Sequence, residues 1–126
     1  MYVFYNPNPR GKKNVGDCTV RAVSKALDTS WETAYIDLVT EGYFLADMPS
    51  ANYVTNFYLH SKGFDKHLIE SDNYTIQDFS RDFNKGTFVV GTGTHVVCVK
   101  DGDYFDTFDS GTESILYYLE RDESVF

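Results

Sequence analysis

Cations are scarce in this chain. Eleven Lys and Arg face 19 Asp and Glu, a net charge of −8, with no basic run. Nucleic acid and anionic membrane surfaces both select dense positive charge, so neither is an expected partner. Cysteine is scarcer still, at Cys18 and Cys98 only. Two cysteines can pair, but a chain of 126 residues buries roughly two-thirds of its unfolded surface and folds without a staple. No apolar run approaches the length of a membrane span. The opening MYVFYNPNPRGKK lacks the charged-then-apolar order of a signal peptide. The expectation is a soluble, cytoplasmic protein with free thiols.

Several ligand spacings are missing too. There is no C-x-x-C and no H-x-x-x-H, so zinc has no ready ligand set, and His60 and His67 read as surface residues. Asp101 to Asp109 imitates a calcium loop. Its fifth position is Phe105, its sixth is Asp106 instead of glycine, and its twelfth is Thr112, which breaks the EF-hand pattern. Gly91-Thr-Gly93 lacks the third glycine and following helix of a phosphate loop, and no G-x-S-x-G supplies a serine elbow. No metal and no cofactor is expected.

What the chain does have is aromatic mass: ten Tyr, ten Phe and one Trp, enough apolar bulk to exclude disorder along most of its length. By length, and without any internal repeat, residues 1–126 make one domain. Tyr2 to Tyr5 reads as an edge strand. Asp17 caps a helix to about Leu27, with Val20, Val23 and Leu27 on one face. Ser30 caps a second helix to about Glu41, with Trp31, Tyr35, Leu38 and Val39 as its apolar stripe and Gly42 as its stop. A third helix follows Pro49, turns Val54, Phe57 and Tyr58 inward and ends near Gly63. Phe64 to Ile69 reads as a strand, and Thr75 starts a fourth helix carrying Ile76, Phe79 and Phe83 to Gly86.

The hydrophobic period then shortens. Thr87–Val90, Thr94–Val99 and Asp103–Phe108 read as strands, and Asp101-Gly102 is a hairpin signal. Ile115 to Leu119 fits either a strand or a short helix. Helices first and an antiparallel sheet after them define an α+β fold.

Chemistry concentrates in Asn14-Val-Gly-Asp-Cys-Thr-Val-Arg-Ala22. A cysteine in a first helical turn meets unpaired N–H groups and a partial positive charge, which favour thiolate and can hold an oxyanion beside it. His95 opens an otherwise apolar strand, after the small residues Gly91 to Thr94. An imidazole there suits a thiol that needs a base. If Asp101-Gly102 is a two-residue turn, His95 lies opposite Phe108 and Asp106 is diagonal to it on the same face. A three-residue loop would bring Asp109 there instead. The two-residue register is preferred, and it assigns Cys98 to the core.

Together, Gly16-Asp-Cys-Thr-Val-Arg-Ala22 at a helix start, His95 at a strand start and an acid on the next strand resemble the papain-like cysteine peptidases, in particular compact bacterial and phage forms such as those that process bacteriocin leaders. The resemblance spans roughly residues 14–111. It implies N-terminal helices carrying Cys18 as nucleophile, packed on a C-terminal antiparallel sheet carrying His95 as general base and acid and Asp106 as orienting acid. It also implies hydrolysis of a peptide, isopeptide or related amide bond in a protein or peptide substrate. Such enzymes usually place a glutamine a few residues before the cysteine to complete the oxyanion hole. Lys12 stands there in this chain, leaving Asn14, or Asn8, as substitutes. That departure also admits a second expectation: an inactive scaffold of the same shape that binds one protein.

Overall fold

The change of hydrophobic period near residue 86 divides the architecture. A computed structural model describes residues 1–122. The elements run β1 (Tyr2–Phe4), α1 (Cys18–Leu27), α2 (Trp31–Leu45), α3 (Asn52–Ser61), β2 (Phe64–Leu68), α4 (Ile76–Asp82), β3 (Thr87–Gly91), β4 (Val96–Lys100), β5 (Asp103–Asp106) and β6 (Tyr117–Arg121). The fold is α+β. No helix among the described residues is long and apolar enough to cross a membrane.

Local chemistry sets the helix ends. In α2, the Ser30 hydroxyl accepts the Thr33 N–H at 3.1 Å, a side-chain N-cap. In α4, Thr75 and Asp78 form a reciprocal capping box. Gly42 does not stop α2, which runs on to Leu45 and turns at Ala46 in the left-handed region. A Cβ at Gly42 would lie 2.8 Å from the Asp47 carbonyl oxygen. The glycine is there so that the following loop can pack against the helix. Burial in α2 follows Ala34, Leu38 and Gly42, spaced four apart, so Tyr35 and Val39 of the expected stripe are exposed. In α3, Phe57 is likewise exposed, and Thr55 and Leu59 join Val54 and Tyr58 inside.

The six strands form one sheet in the order β1-β5-β4-β3-β6-β2. It is mixed, not wholly antiparallel as expected: the N-terminal strand β1 adds to one edge parallel to β5, with Tyr2 opposite Tyr104. β2, between α3 and α4, closes the other edge against β6. The segment 115–119 contributes a strand, not a helix.

Both faces of the central strands are covered. Val89, Val96 and Cys98 pack with Ala22, Val23 and Ala26 of α1 and with Leu38 and Leu59 of α2 and α3. Phe88, Val90, Val97 and Val99 turn the other way, onto Ile76 and Phe79 of α4. This double coverage explains the continuous apolar reading of β3 and β4. The hairpin turn is two residues long, with φ of 50° at Asp101 and 85° at Gly102. Lys100 pairs Asp103 and Cys98 pairs Phe105, the register that brings Asp106 toward His95.

Candidate active site

Three elements end at one place. α1 begins there with Cys18, β4 starts one residue after His95, and β5 finishes at Asp106. His95 lies outside the paired ladder, so its ring is held by side chains. Its Nε2–H donates to Asp106 Oδ2 at 2.6 Å, and its face lies 5.2 Å from the Phe108 ring. The other ring nitrogen is left to Cys18, which lines the same cleft and interacts with His95 closely enough that each shifts the other's titration. Cys18, His95 and Asp106 therefore form a continuous relay.

Asp106 is 1% exposed, and its carboxylate is saturated with donors. Besides His95 it accepts from Ser110 Oγ at 2.7 Å, the Thr107 N–H at 2.8 Å and Arg21 Nη2 at 3.1 Å. Asp109 faces elsewhere, bonded to the Tyr104 hydroxyl at 2.6 Å and the Gly111 N–H at 3.0 Å. The two-residue turn thus settles which acid meets His95.

Asp17 corrects one expectation. It occupies the N-cap position of α1, but its side chain makes no capping bond. The carboxylate instead pairs with Arg21 and accepts from Trp31 Nε1 at 3.0 Å and Asn8 Nδ2 at 3.3 Å. Two consequences follow. The negative charge is neutralised away from the sulfur, and the first-turn N–H groups are left open to an anion.

Burial pushes the Cys18 thiol up. The His95 hydrogen bond, the Val96 backbone N–H and the positive charges of His95 and Arg21 outweigh it and bring the thiol below its ordinary value. For His95, burial favours the neutral ring, but Asp106 and Cys18 raise it to about 9. Burial also disfavours the Asp106 anion, yet His95 and Ser110 hold the carboxyl below its usual range. These directions all favour the same charged set: thiolate, imidazolium and carboxylate. Cys98 is fully buried, and burial raises its thiol to about 12.

A cleft of about 250 Å³ opens over Cys18 and His95, with Gly16, Ser50, Asn52 and Tyr117 in its walls. A Cβ at Gly91 would sit 2.2 Å from the Tyr117 ring, so this glycine lets the ring lie flat against β3. A larger hollow of about 680 Å³, around Met1, Ser80 and Asn84, contains none of the three relay residues. Size does not locate the chemistry here; the convergence of titratable groups does.

Asn14 is not brought to the cleft. It is exposed and lies outside the cleft walls. Asn8 is tied to Asp17. Thr19, Ser50, Asn52 and Thr94 supply polar side chains to the cleft beside Cys18 and His95; Ser50 and Asn52 come from the entry to α3, which nothing in the sequence marked. Arg21 was also missed, although Asp17 and Arg21 stand four apart at a helix start, a spacing that pairs charges on one face.

No protein-family profile, no curated protein and no solved structure matches the chain.

Proposed function

We propose that this protein is a thiol hydrolase of papain-like organisation that cleaves a peptide, isopeptide or related amide bond. The observation that carries this reading is the His95 ring held between Cys18 and a buried, fully bonded Asp106 at the floor of a cleft. The Cys18 thiolate attacks the carbonyl carbon, and the carbonyl oxygen becomes an oxyanion beside the first-turn N–H groups of α1. His95 gives its proton to the leaving amine as the C–N bond breaks, which leaves a thioester on Cys18. His95, now neutral, takes a proton from water, and the hydroxyl adds to the thioester. Collapse releases the carboxylic acid and restores the thiolate–imidazolium pair. Asp106 keeps the ring oriented and stabilises its charge throughout.

The exposed aromatics Tyr43, Phe44, Tyr53 and Phe57 favour a second reading, a protein-binding module on the same scaffold. A peptidyl vinyl sulfone separates the two. A hydrolase forms one covalent adduct on Cys18, read by intact-mass and peptide mass spectrometry, and the His95→Ala variant loses it. An unmodified Cys18 in the folded protein would leave the binding module as the better account.

A further inference from the structure

This inference rests on the thiol-hydrolase reading and extends it to the substrate. A groove of about 490 Å³ runs beside the relay, lined by Arg10, Lys12, Val15, Gly16, Trp31 and Tyr35 among others. We propose that it binds an extended peptide segment bearing carboxylates next to an aromatic side chain, and leads that segment to Cys18.

The charge argument is local. Arg10 and Lys12 both line the groove, two cations within three residues that the −8 total conceals; the neighbouring Lys13 lies over the Phe4 ring instead. Neither Arg10 nor Lys12 forms a salt bridge with a described residue. One carboxylate lines the groove, Asp17, and it is 6% exposed with its oxygens bonded to Arg21, Trp31 and Asn8. Glu32, beside Trp31 in sequence, does not line it. The accessible field is therefore positive in a protein that repels anions elsewhere, so an acidic segment is selected for this site.

The aromatic argument is geometric. The Trp31 and Tyr35 rings stack with centroids 4.9 Å apart, at 16°. The Trp31 N–H bond to Asp17 fixes this pair in place. Held rings present a preformed surface to another ring at little entropic cost. Gly16 joins the sites: it lines both the groove and the Cys18 cleft. A Cβ added there meets nothing within 4 Å, so the passage is open.

Trp31 is the one tryptophan in the chain, so its emission reports the groove directly. Cys18→Ser protein is titrated with capped Gly-Asp-Tyr-Glu-Gly and with capped Gly-Lys-Tyr-Lys-Gly. The acidic peptide is expected to change Trp31 emission saturably. It should bind at least about tenfold more tightly than the basic one and lose that margin in an Arg10→Glu, Lys12→Glu double variant. Both substitutions are on the surface, so folding is retained. Equal responses to the two peptides, or a silent Trp31, overturn the proposal. In the Cys18 protein, Gly16→Leu should slow labelling by a vinyl sulfone built on the acidic peptide by a larger factor than it slows iodoacetamide alkylation, since Gly16 lines both the groove and the cleft. Equal factors for the two reagents break the link between groove and cleft. A silent Trp31 beside a normally acidic Cys18 removes this inference alone; an acidic-peptide response beside an ordinary Cys18 thiol removes the hydrolase reading and leaves a binding groove.

Discussion

Replacing Asp106 by asparagine keeps the shape of the side chain and removes its charge. The structure says what that costs His95. The imidazolium loses a 2.6 Å bond to an anion whose remaining lone pairs are fixed by Ser110, Thr107 and Arg21. A charge-assisted hydrogen bond contributes about 1.5–3 kcal/mol, and about 1.4 kcal/mol is one pKa unit, so His95 should fall from about 9 to roughly 7–8. The sign for stability follows. A raised histidine stabilises the fold fully below its unfolded value and loses that contribution as pH rises through about 9. Cys18, which is lowered, contributes in the opposite sense over the same range, so the His95 effect is isolated in Cys18→Ser protein: that protein should lose stability on the alkaline side of neutrality, and adding Asp106→Asn should flatten the loss. NMR titration of the His95 ring protons measures the first effect, and urea midpoints between neutral pH and about 9 measure the second. Asp109→Asn is the control, because Asp109 bonds Tyr104 and Gly111 and does not touch the ring. If folded Asp106→Asn leaves the His95 titration where it was, Asp106 does not orient or charge the imidazole and the relay is wrong.

Arg21→Met should destabilise the protein by roughly 3–5 kcal/mol, because it leaves the buried carboxylates of Asp17 and Asp106 without their shared cation; a thermal melt within experimental error of wild type would contradict this. Gly91→Ala forces a Cβ to within 2.2 Å of the Tyr117 ring. It should cost roughly 1–3 kcal/mol or more by overpacking, measurable as a lower urea midpoint; an unchanged midpoint would mean that the ring is free to move. Phe79→Ala opens the α4 side of the sheet, where Phe79 meets Phe83 at 4.3 Å, Tyr118 at 5.0 Å and Phe88 at 5.1 Å. A loss of about 3–5 kcal/mol is expected, with Cys18 alkylation unaltered at temperatures where the protein remains folded.

Much of this arrangement was legible because single residues decide it. Asp101-Gly102 reads as a tight turn, and that turn alone fixes the register that sets Asp106 and not Asp109 against His95. Cys18 at a helix start and the strand after His95 follow from the shift in hydrophobic period. Other features depend on partners far along the chain. Gly42 looks like a helix stop, and only the loop at Asp47 and Pro49 packed upon it explains a glycine inside α2. Asp17 looks like a cap, but a tryptophan 14 residues on and Arg21 compete for its carboxylate and win. The parallel pairing of β1 with β5 joins residues about a hundred apart, which no local pattern encodes. Ser50 and Asn52 reach the cleft through tertiary packing, and Asn14, nearer to Cys18 in sequence, does not.

The central claim is that His95 makes Cys18 a thiolate. Iodoacetamide alkylation of the folded protein against pH, with mass spectrometry distinguishing Cys18 from Cys98, tests it most directly. Cys18 should alkylate with an apparent pKa well below an ordinary thiol, about 8.5, and Cys98 should stay unreactive because it is fully buried. In His95→Ala the hydrogen bond and the charge disappear while burial remains, so the Cys18 value should rise. A Cys18 that titrates as a free thiol, or that is indifferent to the loss of His95, would contradict the account.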